Sequence, residues 1–245
     1  MVKALIYLLA IIIAEVITIV VQPMWGIICH ITILLLVIVH SAVDTRYPHR
    51  PLLLTLGLAP LVRIISLSMP LADIPQVWWY PIIYIPLLVA AVTAMRILNY
   101  QAEDIGLTLE GIPFQVVVAL SGLVFGVAEY FILRPEPIIS ELTWQAVWLP
   151  ALVLLVCTGF VEEVIFRGIL QRSSMEAFGG WGIVYVSLLF AILHMGFLSW
   201  LDVAFVFVVA MFFGWIVNRT GSLMGVTLAH GITNIILFLI APFIF

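Results

Sequence analysis

Charge is what this chain of 245 residues has least of: Asp, Glu, Lys and Arg make up 9% of it, against roughly 25% in an ordinary globular protein. So few charges cannot coat a water-soluble body, and the mean hydropathy of +1.29 agrees. Basic runs are missing too. Nine Lys plus Arg against thirteen Asp plus Glu leave a net charge of −4, which excludes a nucleic-acid surface. Cysteine is nearly absent. Cys29 and Cys157 both sit in apolar stretches, where they read as small buried side chains, not as a disulfide framework or a CxxC metal site.

What is present is apolar sequence, 65% of the chain, in runs of about 20 residues, the length that crosses a bilayer. Charged and Pro/Gly-marked breaks place spans near 3–21, 24–43, 51–69, 78–98, 114–133, 146–170, 181–200, 201–218 and 222–243. The pattern predicts an all-α, polytopic transmembrane bundle of about eight to nine spans. Tight first, second and eighth connections leave room for two neighbouring runs to be one broken or re-entrant element. The first run is too long for the core of a signal peptide and is read as uncleaved.

The longest polar break, Asn99 to Pro113, divides the chain into N-terminal helices (1–99) and a core (100–245) that holds the candidate catalytic helices. With the N-terminus cytoplasmic, Lys3, Arg46, Arg50, Arg96, Arg172 and Arg219 all fall at the inner face, leaving Arg134 outside. Trp78, Trp79, Trp144, Trp148, Trp181 and Trp200 fall at helix ends, where indole rings favour the interface. The short chain leans towards a prokaryotic cell membrane.

Ionisable residues inside spans are costly and so are candidates for function. The densest group is in the sixth run, where Glu162, Glu163 and Arg167 fall within one short stretch; His194 follows in the seventh, and His230 and Asn234 in the ninth. Glu163 and Arg167 are four apart and should form an internal ion pair. Glu162 lies about 100° around the helix, free to face a cavity. Counted at 1.5 Å per residue, Glu162, His194 and His230 lie about 15, 21 and 13 Å deep, close enough to converge. A buried carboxylate with two imidazoles suits hydrolysis: the carboxylate takes a proton from water, and Asn234 donates to the oxyanion that forms. Glu162, His194 and His230 are also the ligand set of a catalytic zinc site with an open position.

The order Glu-Glu-x-x-x-Arg (Glu162, Glu163, Arg167), Phe-x-x-x-His (Phe190, His194) and His-x-x-x-Asn (His230, Asn234) resembles the CPBP family, the CAAX proteases and bacteriocin-processing enzymes also called Abi. The string from Gly159 to Gly168, the Asn218–Leu223 lead-in to His230 and the Asp104–Leu107 lead-in add to the likeness, which covers roughly residues 100–240. The resemblance implies an intramembrane endopeptidase, similar to the type II CAAX prenyl protease, acting on a membrane-associated peptide or protein. That substrate would be a prenylated CAAX-type or leader-peptide one. It implies that Glu162 and His194 activate water, that His230 and Asn234 stabilise the oxyanion, and that Glu163, Arg167 and Phe190 support them. Zinc and glutamate-activated water both fit these residues. No HExxH occurs.

Two other classes fit parts of the pattern. A proton- or cation-coupled transporter would use the acids and histidines as a relay, and a non-catalytic immunity or binding protein would keep the fold alone. Glu15, Arg63 and Glu129 are further intramembrane charges, and the expected arrangement pairs Arg63 with one of the acids.

Overall fold

The computed structural model describes residues 2–44 and 46–245. Eight helices are long and apolar enough to cross a membrane: α1 (Val2–Val20), α2 (Pro23–Val43), α3 (His49–Ser68), α4 (Gln76–Leu98), α5 (Ile112–Leu133), α6 (Trp144–Phe178), α8 (Trp200–Thr220) and α9 (Met224–Ile244). A shorter apolar helix, α7 (Trp181–Phe197), lies between α6 and α8. At 1.5 Å per residue α7 reaches only about 25 Å, less than a hydrocarbon core of about 30 Å. Among the described residues nine helices are apolar, and eight of them have full spanning length. No strand occurs among the described residues. The chain is an integral, multi-pass membrane protein with an all-helical fold.

Sequence punctuation explains the helix ends. α2 starts on Pro23, whose missing N–H costs nothing in a first turn. α3 is interrupted at Gly57, where the backbone N–H turns back to Leu54 O at 3.3 Å before the helix resumes towards Arg63. α6 is the longest element, about 52 Å by rise, so it cannot lie wholly within the hydrocarbon. Its last turns, Gln171–Phe178, carry Arg172 and Glu176. Upstream, α6 winds as a π-helix over Leu154–Glu162 and Val164–Leu170, a rare, widened geometry frequent at functional sites.

Close packing against α9 positions the site. α5 carries Gly122 and Gly126 four apart, facing Ala229, Thr233 and Ile236 of α9; a Cβ at Gly126 would stand 2.7 Å from Thr233 O. On the other side of α9, a Cβ at Gly159 of α6 would stand 2.8 Å from Thr227 O and 3.0 Å from Gly231 N. In lipid, helices associate through such small-residue contacts because apolar burial no longer separates inside from outside. The result clamps α9 between α5 and α6 and holds its His230 face against the acids of α6.

One end of the bundle is polar. The 99–113 connection is tied down there: Leu223 N–H donates to Gly106 O (2.8 Å), Ser222 Oγ to Thr108 O (3.0 Å) and Arg172 Nη1 to Asp104 O (2.7 Å). Asp44, just past α2, pairs with Lys3 and Arg46 at 3.0 and 2.9 Å, and those cations hold its carboxyl well below the usual carboxylate range. Tyr185 of α7 joins this end to α1 by donating to Ala4 O at 2.9 Å. The opposite character appears on the outer faces, where Leu5, Leu9, Ile13, Leu35 and Val39 are exposed, as lipid contact requires.

Candidate active site

The ion pair expected from spacing is present. Arg167 Nη1 lies 3.1 Å from Glu163 Oε1, and both side chains are buried. The same oxygen also accepts from His230 Nδ1 at 2.8 Å, a contact that helical spacing could not reveal because it joins two helices. Arg167 lies over the ring of Phe190, 4.1 Å from its centroid, with Phe213 at 5.8 Å, so its apolar surroundings are electron-rich faces that suit a cation.

Glu162 turns away from that pair. Its Oε1 accepts from the Tyr84 hydroxyl of α4, and its Oε2 stands 3.7 Å from His230 Nε2, an ion-pair distance and not a hydrogen bond. His194 sits in the turn that ends α7. Its Nδ1 lies 2.9 Å from Phe190 O, and because a carbonyl can only accept, Nδ1 carries the proton and Nε2 of the neutral ring is an acceptor. Phe190 packs against the same imidazole with ring centroids 4.7 Å apart. Asn234 Nδ2 donates to Thr158 Oγ1 at 2.8 Å, and the Thr158 hydroxyl in turn donates to Leu154 O at 2.5 Å. One amide hydrogen of Asn234 is thereby used in fixing the side chain, and the other remains to be given.

Glu162, His194, His230 and Asn234 line a single cavity of about 280 Å³. Arg167 and Phe190 border it as well, whereas Glu163 stands behind His230 and does not reach it. Glu129 and Arg63, both outside the motif, also line the cavity. Arg63 pairs with Glu15 at 2.6 Å, and His30 Nε2 approaches the same Glu15 oxygen at 3.0 Å. Tyr84 and Thr158 were not apparent as site residues from sequence; a tyrosine in an apolar run is the commonest of packing residues, and nothing in its spacing joins it to Glu162. Asp202 was passed over too. It is fully buried in the first turn of α8, where its N–H donates to Ser199 Oγ at 3.2 Å.

The zinc ligand set can be tested on this geometry. His230 has its Nδ1 on Glu163 and His194 has its Nδ1 on a carbonyl, the outer contacts that imidazole ligands use. The three side chains nevertheless do not close on a common point: among the described residues no group of three His, Cys, Asp or Glu is arranged to hold an ion. The chemistry below is accordingly derived from the chain's own residues.

Residues 143–236, which contain α6, α7, α8 and the first part of α9, match the model of a protein family described as type II CAAX prenyl endopeptidase, Rce1-like. Over this segment the chain is similar to that family. The match starts at α6, later than the residue-100 boundary that the motif resemblance suggests, and it encloses Glu162, His194, His230 and Asn234. No curated protein and no solved structure gives a significant match. The family is one of CAAX prenyl endopeptidases, and the likeness covers less than half of the chain.

Proposed function

We propose that this chain hydrolyses a peptide bond near the prenylated end of a CAAX-type substrate, with Glu162 as the base that takes a proton from water. The observation that carries the reading is the meeting of Glu162, His194, His230 and Asn234, from three helices, on one cavity inside the Rce1-like segment. His194 Nε2 accepts from the attacking water and orients it; Glu162 removes the proton and later delivers it to the leaving amine. Asn234, held by Thr158, donates its second amide hydrogen to the oxyanion. His230 can donate from Nε2 only as the doubly protonated ring, since Nδ1 already donates to Glu163, and the flanking carboxylates of Glu162 and Glu163 compensate that charge. Glu163 and Arg167 act through His230 as positioning residues.

The experiment is cleavage of quenched-fluorescent peptides, farnesylated CAAX-type and leader-type, by the purified protein beside Glu162→Ala, with and without a zinc chelator. Cleavage of the farnesylated peptide that disappears in the variant is the expected result. Chelator sensitivity separates zinc from glutamate-activated water. Full activity of Glu162→Ala would refute the assignment.

A further inference from the structure

The cavity holds one cation that the hydrolytic scheme leaves idle. Arg63 is on the resumed half of α3, outside the Rce1-like segment, and its side chain keeps 13% of its accessibility because it borders the cavity. Only Nε is engaged, donating to Glu15 Oε1 at 2.6 Å. Nη1 and Nη2 donate to no acceptor among the described residues, both keep accessible surface, and Arg63 lines the cavity. Glu15, itself fully buried and touched by His30, fixes the Nε edge of the guanidinium and so aims the Nη edge outward. In apolar surroundings, donors without acceptors are costly unless a ligand supplies them. Two adjacent N–H groups in one plane match the two oxygens of a carboxylate.

Position narrows the ligand. Arg63 Nη2 would lie 3.7 Å from a Cβ at Gly196, and Gly196 is two residues past His194, so their Cα atoms are no more than about 7.6 Å apart. A fully extended residue spans about 3.3–3.6 Å, so only a few residues fit between a group held at Arg63 and a carbonyl attacked beside His194. We infer that Arg63 binds the free α-carboxylate at the C-terminus of the substrate, setting the cut a few residues from the chain end. The idea rests on the endopeptidase reading for which bond is cut, and on Arg63 alone for which peptides bind.

The test compares a dansylated, farnesylated CAAX-type peptide with a free C-terminal acid and the same peptide as its C-terminal amide. Affinity is read from fluorescence with the protein in lipid nanodiscs, and cleavage is read separately from product. The wild-type chain should bind the acid about tenfold or more tightly than the amide, as expected for loss of a charge-assisted hydrogen bond. Removing the cation together with its partner, in Glu15→Gln/Arg63→Gln, should bring that ratio below about twofold. Arg63→Lys keeps a cation for Glu15 but loses the fork, so it should lower the ratio at least about threefold and carries the test if the double variant does not fold. No acid preference in the wild-type chain, or one that survives these substitutions, overturns the assignment. Cleavage that is absent, or unaffected by Glu162→Ala, counts against the endopeptidase reading instead and leaves the affinity ratio to decide on Arg63.

Discussion

Glu163 Oε1 accepts from both Arg167 and His230, so removing either end of the ion pair should have unequal costs. In Arg167→Met the carboxylate keeps His230 as a partner at 2.8 Å, and a protonated imidazole can answer its charge. In Glu163→Gln the amide oxygen still accepts from His230, but Arg167 keeps only the faces of Phe190 and Phe213 and the more distant Glu162. Breaking a buried pair by removing one partner costs about 3–5 kcal/mol, and Glu163→Gln should fall at the upper end of that range and Arg167→Met at the lower. The neutral double variant should cost less than either single change, giving a coupling of about 3 kcal/mol or more. Unfolding titrations with SDS in mixed micelles measure all four corners of the cycle. Additivity within about 0.5 kcal/mol would refute the view that these side chains form one buried electrostatic unit.

Asn234→Ala should lower kcat about 10²- to 10³-fold with little change in KM, as for loss of one oxyanion donor; a loss under about fivefold in steady-state peptide cleavage would remove Asn234 from that role. Gly159→Ala sets a methyl group against the backbone of α9 at Thr227 and Gly231 and should cost about 1–3 kcal/mol in the same SDS titration. Wild-type stability would argue that α6 and α9 pack otherwise. For Asp44 the folded-state acidity is strengthened by Arg46 and Lys3, so its stabilising effect is present above the unfolded value of about 4 and is lost as pH falls below it. The melting-temperature difference between the wild-type chain and Asp44→Asn should therefore shrink from pH 6 to pH 3, and a difference that grows would show the sign to be wrong.

Much of the architecture was legible because a bilayer simplifies the code. Apolar run length alone locates nine helices, and the polar connection after Asn99 is pinned to Leu223 and Arg172 and is no loose linker. Local pairs were legible for the same reason that they are local: four residues separate Glu163 from Arg167, and one turn of helix brings them together. Arg63 did find an acid, Glu15, as its burial required. What could not be read were contacts between helices whose relative rotation is set by packing. Tyr84 reaches Glu162 across 78 positions and Asn234 reaches Thr158 across 76, and neither has a periodic signature. The motif gave no reason to connect Glu129 or Arg63 with the cavity, because a wall is defined by shape and not by spacing.

The π-helical winding of α6 ties the position of Glu162 to a residue count. Glu162 ends the stretch that begins at Leu154, so its direction depends on how many residues are wound between the Trp144 end and the cavity. Deleting one residue there would let the segment relax towards ordinary α-geometry, in which each residue turns the helix by about 100°. Either Glu162 or the packing face at Gly159 would then lose its place. Point substitutions along this stretch leave the count alone, so descendants of this sequence are free to exchange side chains between Leu154 and Leu170 far more readily than they can gain or lose a single residue.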